Sequence, residues 1–280
     1  MKNNFLLMIK GGLIGIANII PGVSGGTMAV VLGIYEQLID AISNFATDKS
    51  KRKEYILFLA LIGGGAAGAV VALSFLMKFL LAHYPEFTYL FFIGLIIGSV
   101  PSIYRTHSDM RATPSGIASF LAGAGLILFL TLYFGDVEKP SAAATVGAID
   151  SAAFIMLLIS GVLAGGSMIV PGISGSFLLV LLGQYQLVIS AVADHRLDVL
   201  AIVAAGAVAG ILSFARLIQY LLRRFPSQTI YFILGLVIAS LYPIFPGLPK
   251  SAVHFTAGTL LVLCGIGLSF LLSVNSPEQG

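Results

Sequence analysis

Two short strings stand out for the chemistry they could do: PGVSGG, from Pro21 to Gly26, and PGISGS, from Pro171 to Ser176. In each, glycines and a serine precede an apolar helical run. Unpaired backbone N–H groups and the positive end of a helix dipole therefore converge beside a hydroxyl, which is the outline of a phosphate or carboxylate site. Gly22, Ser24, Gly25, Gly26 and Thr27 in the first string, and Gly172, Ser174, Gly175 and Ser176 in the second, are the candidate anion ligands. The serines are equally suited to capping the helix that follows, and both roles can coexist. Asn18 lies one turn before Pro21, where the proline frees a backbone carbonyl that needs a partner. Tyr35, Gln184 and Tyr185 also flank the breaks, placed to line a cavity or to bond across helices.

Charge is scarce enough that each intramembrane charge is informative. Glu36 and Asp40 sit one helical turn apart, with Gln186 and Ser190 in the matching places of the second half. They belong either to the headgroup zone or to a proton or cation site. Arg216 falls in a stripe with Ser213, Gln219, Tyr220 and Arg223, spaced to face one side of a helix. Snorkelling of Arg216 toward Arg224 and the membrane surface competes with an anion-facing role, but it does not account for the polar neighbours. Lys78, aligned with Gln219, reads as an interfacial anchor.

Several chemistries are disfavoured. Cys264 is the only cysteine, so disulfide, thiol and Cys-based metal chemistry have no partner. Both breaks contain the GxSG string of rhomboid-type intramembrane proteases, yet His83, His107, His195 and His254 fall at expected helix ends or in loops, away from a mid-membrane serine that needs a base. We therefore assign no catalytic residue, no metal and no cofactor. A net charge of +3 spread over sparse Lys and Arg gives no nucleic-acid face.

The elements that must position these residues are membrane helices. Of 280 residues, 58% are apolar and 10% charged, and mean hydropathy is +1.01. A soluble domain carries about a quarter of its residues as charge. The fold class expected is an all-α polytopic membrane protein. Apolar runs at 55–82, 87–104, 115–134, 199–222, 229–245 and 252–273 are each long enough to cross a ~30 Å hydrocarbon core. Two further runs, 5–45 and 152–193, are interrupted by the PGxSG strings, and we read them as re-entrant helical hairpins. Lys10 and the glycines after it argue against a cleaved signal at the N-terminus.

The chain is also duplicated. A shift of 150 aligns Gly11, Gly15, Pro21, Gly22, Ser24, Gly25, Gly33 and Tyr35 with Gly161, Gly165, Pro171, Gly172, Ser174, Gly175, Gly183 and Tyr185. Later the shift becomes 141, matching Pro85, Thr88, Phe91 and Gly94 to Pro226, Thr229, Phe232 and Gly235. Residues 1–140 and 141–280 then form two repeats, each one hairpin plus three spans. An odd number of crossings makes them inverted, the sequence sign of a secondary transporter. The remaining glycines read as helix-packing residues. Most Lys and Arg fall in loops on one face, which puts both termini in the cytoplasm.

The strings GGLIGIANIIPGVSGGTMAVVLGIY and GGSMIVPGISGSFLLVLLGQY resemble the signature segments of the polyprenyl-phosphate translocase family, and the similarity runs from about Lys10 to Leu272. The second copy has Met168 in place of Asn18 and Phe177 in place of Thr27. The resemblance implies a bacterial inner-membrane protein that returns undecaprenyl phosphate from the outer to the cytoplasmic leaflet for reuse in peptidoglycan and other envelope polymers. The partners implied are that lipid and the surrounding membrane lipids; separately, moving an anion inward against an inside-negative potential would call for a coupling proton or cation, with Glu36 as the candidate. Two alternatives stay open. A membrane polyprenyl-pyrophosphate phosphatase also uses PGxS breaks, but Gly25 and Gly175 stand where that family's loop has an arginine. A small-anion channel or permease is the other.

Overall fold

The structure, a computed structural model, describes residues 2–19, 23–105, 113–134, 150–247 and 252–274. Pro21 and Gly22 of the first break lie outside the described residues, as do His107, Arg111, Lys139 and Lys250. The side chains of Lys78 and Gln186 also fall outside them. All elements among the described residues are helices. The first half contains α1 (Lys2–Ile19), α2 (Gly25–Val31), α3 (Tyr35–Asn44), α4 (Arg52–His83), α5 (Pro85–Arg105) and α6 (Pro114–Phe134). The second contains α7 (Ser151–Ile169), α8 (Gly175–Leu181), α9 (Tyr185–Ala193), α10 (Leu197–Arg224), α11 (Pro226–Ala239), α12 (Leu241–Ile244) and α13 (Ala252–Val274).

Six stretches are long and apolar enough to cross a membrane: Arg52–Leu73, Pro114–Tyr133, Ser151–Ile169, Leu197–Arg224, Pro226–Ile244 and His254–Leu271. The chain is a multi-pass membrane protein. Pro226–Ile244 is 61% buried, against 17% for the stretches in α4, α6, α10 and α13, so α11 is central and those four form the lipid-facing shell. Val71, Leu132 and Leu260 project outward from that shell, as expected where the solvent is hydrocarbon.

Five of the six expected spans coincide with single helices, α4, α5, α6, α10 and α13, but the apolar part of α5, Pro85–Pro101, falls short of a span, while α7, expected as a hairpin arm, is long enough for one. The run 229–245 instead divides at Ser240 into α11 and α12. Pro243 lacks the N–H that would continue the ladder, and Ser240 Oγ turns back to donate to the Val237 carbonyl at 2.7 Å.

The second arm of each broken region is itself broken, which the expected hairpins did not include. Helix α2 starts at Ser24, whose hydroxyl accepts the Thr27 N–H at 3.1 Å, and ends after Leu32. There Gly33 adopts φ +65°, its N–H donates to the Val30 carbonyl, and the Ile34 N–H donates to the Ala29 carbonyl. This is a Schellman termination, which favours glycine because no Cβ opposes the left-handed backbone. Gly183 repeats it at φ +70°, with the Gln184 N–H on the Leu179 carbonyl.

Helices pair through glycine. Helix α1 lies on α4 and α7 on α10, while α5 of the first half packs on α13 and α6 on α11 of the second. A Cβ on Gly11 would stand 2.2 Å from the Ile62 carbonyl oxygen, and one on the aligned Gly161 would stand 2.4 Å from that of Val203. Gly94 approaches Val262 and the aligned Gly235 approaches Phe120 in the same way, at 2.2 and 2.1 Å. Backbones this close are what small residues provide where the hydrophobic effect does not drive helices together. The core gathers around α2, α3, α5 and α11, with Leu32, Ile34, Ile39, Leu95, Ile96 and Val237 almost fully buried.

Candidate anion site where the broken arms meet

The two breaks meet each other. The Gly172 backbone N–H points between two hydroxyls of the first half, donating to Thr27 Oγ1 at 2.7 Å and Ser24 Oγ at 3.1 Å. Those oxygens are themselves 2.8 Å apart, and both side chains are buried. Ser24 therefore caps α2 and receives the opposite half at once. Asn18 Oδ1 accepts the Gly25 N–H at 3.0 Å, so what Asn18 satisfies here is an orphan donor in the first turn of α2. Gly26 lies against the end of α7, where a Cβ would come 2.6 Å from the Ile169 carbonyl oxygen.

The second break is built differently. Gly172, at φ +83°, turns the chain beside the Leu236 carbonyl, and Ser174 and Ser176 pair their hydroxyls at 2.8 Å on the exposed side. The two short helices are also unequally packed. All seven residues of α2 are buried, between α5 and α7, whereas α8 is half-exposed and rests on α7 and α9. Seen from the repeat, α8 makes no comparable contact with α11 or α1 among the described residues.

Arg216 is elsewhere. Phe214 packs against Gly166 on α7, and two residues at 100° each carry Arg216 round to the far side of α10. There Arg216, Gln219, Tyr220, Arg223 and Arg224 line an open cleft of about 390 Å³. Among the described residues no hydrogen bond joins this cleft to Ser24, Thr27, Ser174 or Ser176. The Arg stripe and the loops are two places.

Asp40 borders the cleft. Its Oδ1 accepts from Asn44 Nδ2 at 2.8 Å and from Gln219 Nε2 at 2.7 Å, and its Oδ2 accepts the Tyr55 hydroxyl at 2.7 Å. The Arg223 guanidinium adds a long contact of 3.4 Å. One carboxylate thus ties α3 to α4 and, across the halves, to α10. Glu36 is half-buried one turn earlier on α3. In the loop before α4, donation from the Ser50 hydroxyl and the Lys51 N–H holds the Asp48 carboxyl below the usual carboxylate range.

Residues 14–272 match the family described as undecaprenyl phosphate translocase-like. The chain belongs to that family. It is 35% identical over 249 residues to the polyprenyl-phosphate transporter of Vibrio cholerae, covering 85% of this chain and 76% of the relative. It is 32% identical over 279 residues to the polyprenyl-phosphate transporter of Staphylococcus aureus, covering 97% of each. No solved structure matches the chain. The relatives carry the names of transporters, in agreement with a protein that is not an enzyme.

One residue of this family member escaped the reading of its motifs. Lys10 is only 1% exposed, and its ammonium donates at 2.9 Å to the Leu32 carbonyl, an acceptor left over where α2 ends. In the second half the amide of Gln184 reaches the aligned Leu182 carbonyl, at 3.4 Å. A lysine within an apolar run and far from the surface loops was the available signal. Tyr35, beyond the same turn, is buried with its hydroxyl unpaired among the described residues, and Tyr185 is half-buried.

Proposed function

We propose that this chain is a lipid transporter that returns a polyprenyl phosphate, specifically undecaprenyl phosphate, from the outer to the cytoplasmic leaflet of the bacterial inner membrane. The two halves act as inverted repeats, each with a re-entrant broken arm, and the termini are cytoplasmic. The observation that carries this reading is the Gly172 N–H held between Ser24 and Thr27. Two loops rich in N–H donors and hydroxyls from opposite halves meet at one point, and in a lipid-embedded protein such irregular backbone is sustainable where it is buried or lines a cavity.

The phosphate site is formed by Asn18, Gly22, Ser24, Gly25, Gly26 and Thr27 with Gly172, Ser174, Gly175 and Ser176. Arg216 receives the same phosphate at the edge of the protein. An anionic head cannot cross hydrocarbon unaided, whereas a prenyl tail can remain in the bilayer throughout. The unequal burial of α2 and α8 supports alternating access: one broken arm is seated against the opposite half while its counterpart is released. Exchange of these roles opens the site to the other leaflet. Inward movement of the anion opposes an inside-negative potential by ~2.3 kcal/mol per charge per 100 mV, which coupling to a proton or cation through Glu36 offsets.

The test is purified protein in liposomes with undecaprenyl phosphate labelled in the outer leaflet. Faster loss of label from that leaflet than in empty liposomes, with the phosphoester intact and no leak of inorganic phosphate, is the expected result. Released phosphate would instead identify a phosphatase, and flux of inorganic phosphate without lipid movement a channel.

A further inference from the structure

The cleft on α10 has a charge inventory that its own neighbours do not satisfy. Three guanidiniums, Arg216, Arg223 and Arg224, line it, and the carboxylate bonded to it among the described residues is Asp40. Asp40 is already engaged by three neutral donors at 2.7 to 2.8 Å, leaving Arg223 a contact of only 3.4 Å with its side chain 69% exposed. Arg224 lies over the Phe225 ring at 5.9 Å, and Arg216 makes no hydrogen bond or ion pair among the described residues. Snorkelling accounts for single cations at a membrane surface. It does not account for a cleft that also presents an amide and a phenol, Gln219 and Tyr220, between those cations.

The same face of α10 runs on from Arg216 through Leu212, Ala209 and Ala205, since steps of four, three and four residues keep to one side of a helix. Ala209 and Ala205 are exposed and Leu212 half-exposed. The face is therefore charged at one end and apolar and shallow along the rest, within a stretch apolar enough to span a membrane. Its complement is a phosphate monoester carrying one long hydrocarbon chain. Guanidinium forks match phosphate oxygens, and Gln219 and Tyr220 supply further donors.

We propose that this cleft is a docking site for the headgroup of the polyprenyl phosphate, separate from the loop junction, with Asp40 as its internal competitor. The proposal rests on the substrate class inferred above. A phosphate that engages Arg223 and Gln219 draws them from Asp40, so headgroup arrival loosens the link between α3 of the first half and α10 of the second. The site thus both collects the lipid at the protein's edge and weakens a contact that holds the two halves together.

The experiment is native mass spectrometry of the full-length protein in neutral detergent with undecaprenyl phosphate, undecaprenol or dioleoyl phosphatidylglycerol added. The wild type is expected to retain the phosphate and not the alcohol. Arg216→Gln combined with Arg224→Gln should reduce the retained fraction about tenfold or more. Asp40→Asn should raise it, and this opposite sign separates loss of the site from loss of the fold. Unchanged retention in the double variant overturns the proposal, as does displacement by equimolar phosphatidylglycerol, which would make the cleft a general anionic-lipid contact. Liposome transport distinguishes the two levels. Retention through these arginines without transport overturns the function and keeps the cleft, whereas transport with unchanged retention in the double variant does the reverse.

Discussion

Gly172 presents its backbone N–H to the Ser24 hydroxyl at 3.1 Å, joining residues 148 apart in sequence and one half of the protein to the other. Thr27 shares that N–H at 2.7 Å, so the junction is a three-centre hydrogen bond made wholly of groups that sequence alone assigns to separate loops. Because phosphate oxygens are strong acceptors, the same donor is available to a ligand once the hydroxyls withdraw.

Thr27→Val keeps the shape of the side chain and removes the shorter half of this junction. A loss of about 1 kcal/mol is expected. Ser24→Ala removes the longer half of the junction together with the α2 cap, and should cost more, about 1–2 kcal/mol. The double variant should lose more than the sum, because either hydroxyl alone still accepts the shared Gly172 N–H and only the loss of both leaves that donor unpaired. Thermal unfolding of the four proteins in detergent measures this, and simple additivity would show that the two hydroxyls act independently.

Glycine contacts give a sharper contrast. Gly11→Ala places a methyl 2.2 Å from the Ile62 carbonyl, so α1 and α4 must separate, at about 1–3 kcal/mol. Gly63 lies on the same α4 with open space where its Cβ would be, and Gly63→Ala should be neutral or gain up to about 1 kcal/mol of helix propensity. Equal melting temperatures for the two variants would contradict this packing.

Lys10→Met retains much of the apolar stem and strips the Leu32 carbonyl of its ammonium donor. Losing this buried, charge-assisted hydrogen bond costs about 1–3 kcal/mol. Amide exchange in the Gly33 turn is expected to accelerate, since that turn follows the carbonyl that Lys10 holds. Exchange unchanged from wild type would reduce Lys10 to a space-filling role.

Glu36→Gln tests the coupling role. Transport of the labelled lipid should persist but lose its response to an imposed pH gradient. If the wild type itself responds to no gradient of either sign, Glu36 has no coupling role to lose.

The course of the main helices was legible in sequence because long apolar runs have few alternatives in lipid, where a backbone must satisfy itself. The second break in each arm was less so. Gly33 and Gly183 were visible as aligned glycines, but a glycine at a helix end and a glycine in a helix contact look alike in one dimension. The division of 229–245 was similarly concealed, since Pro243 in an apolar run is compatible with either a kinked or an ended helix.

For the candidate site, the order of the chain determined which residue types stand at the breaks: Ser24, Thr27, Ser174 and the glycines beside them sit where helices begin, and helix starts leave N–H groups unpaired. Sequence also determined that charge would be rare and therefore consequential. Only the tertiary structure decided which of those groups meet. It turned Arg216 to the far side of α10 from the loops, since a two-residue step rotates a side chain by about 200°. It brought Asp40 across to Gln219 and folded Lys10 in beneath Leu32. Spacing along a chain fixes the face of one helix, but the partner of that face depends on how helices pack, and here that packing follows from glycines distributed over both halves.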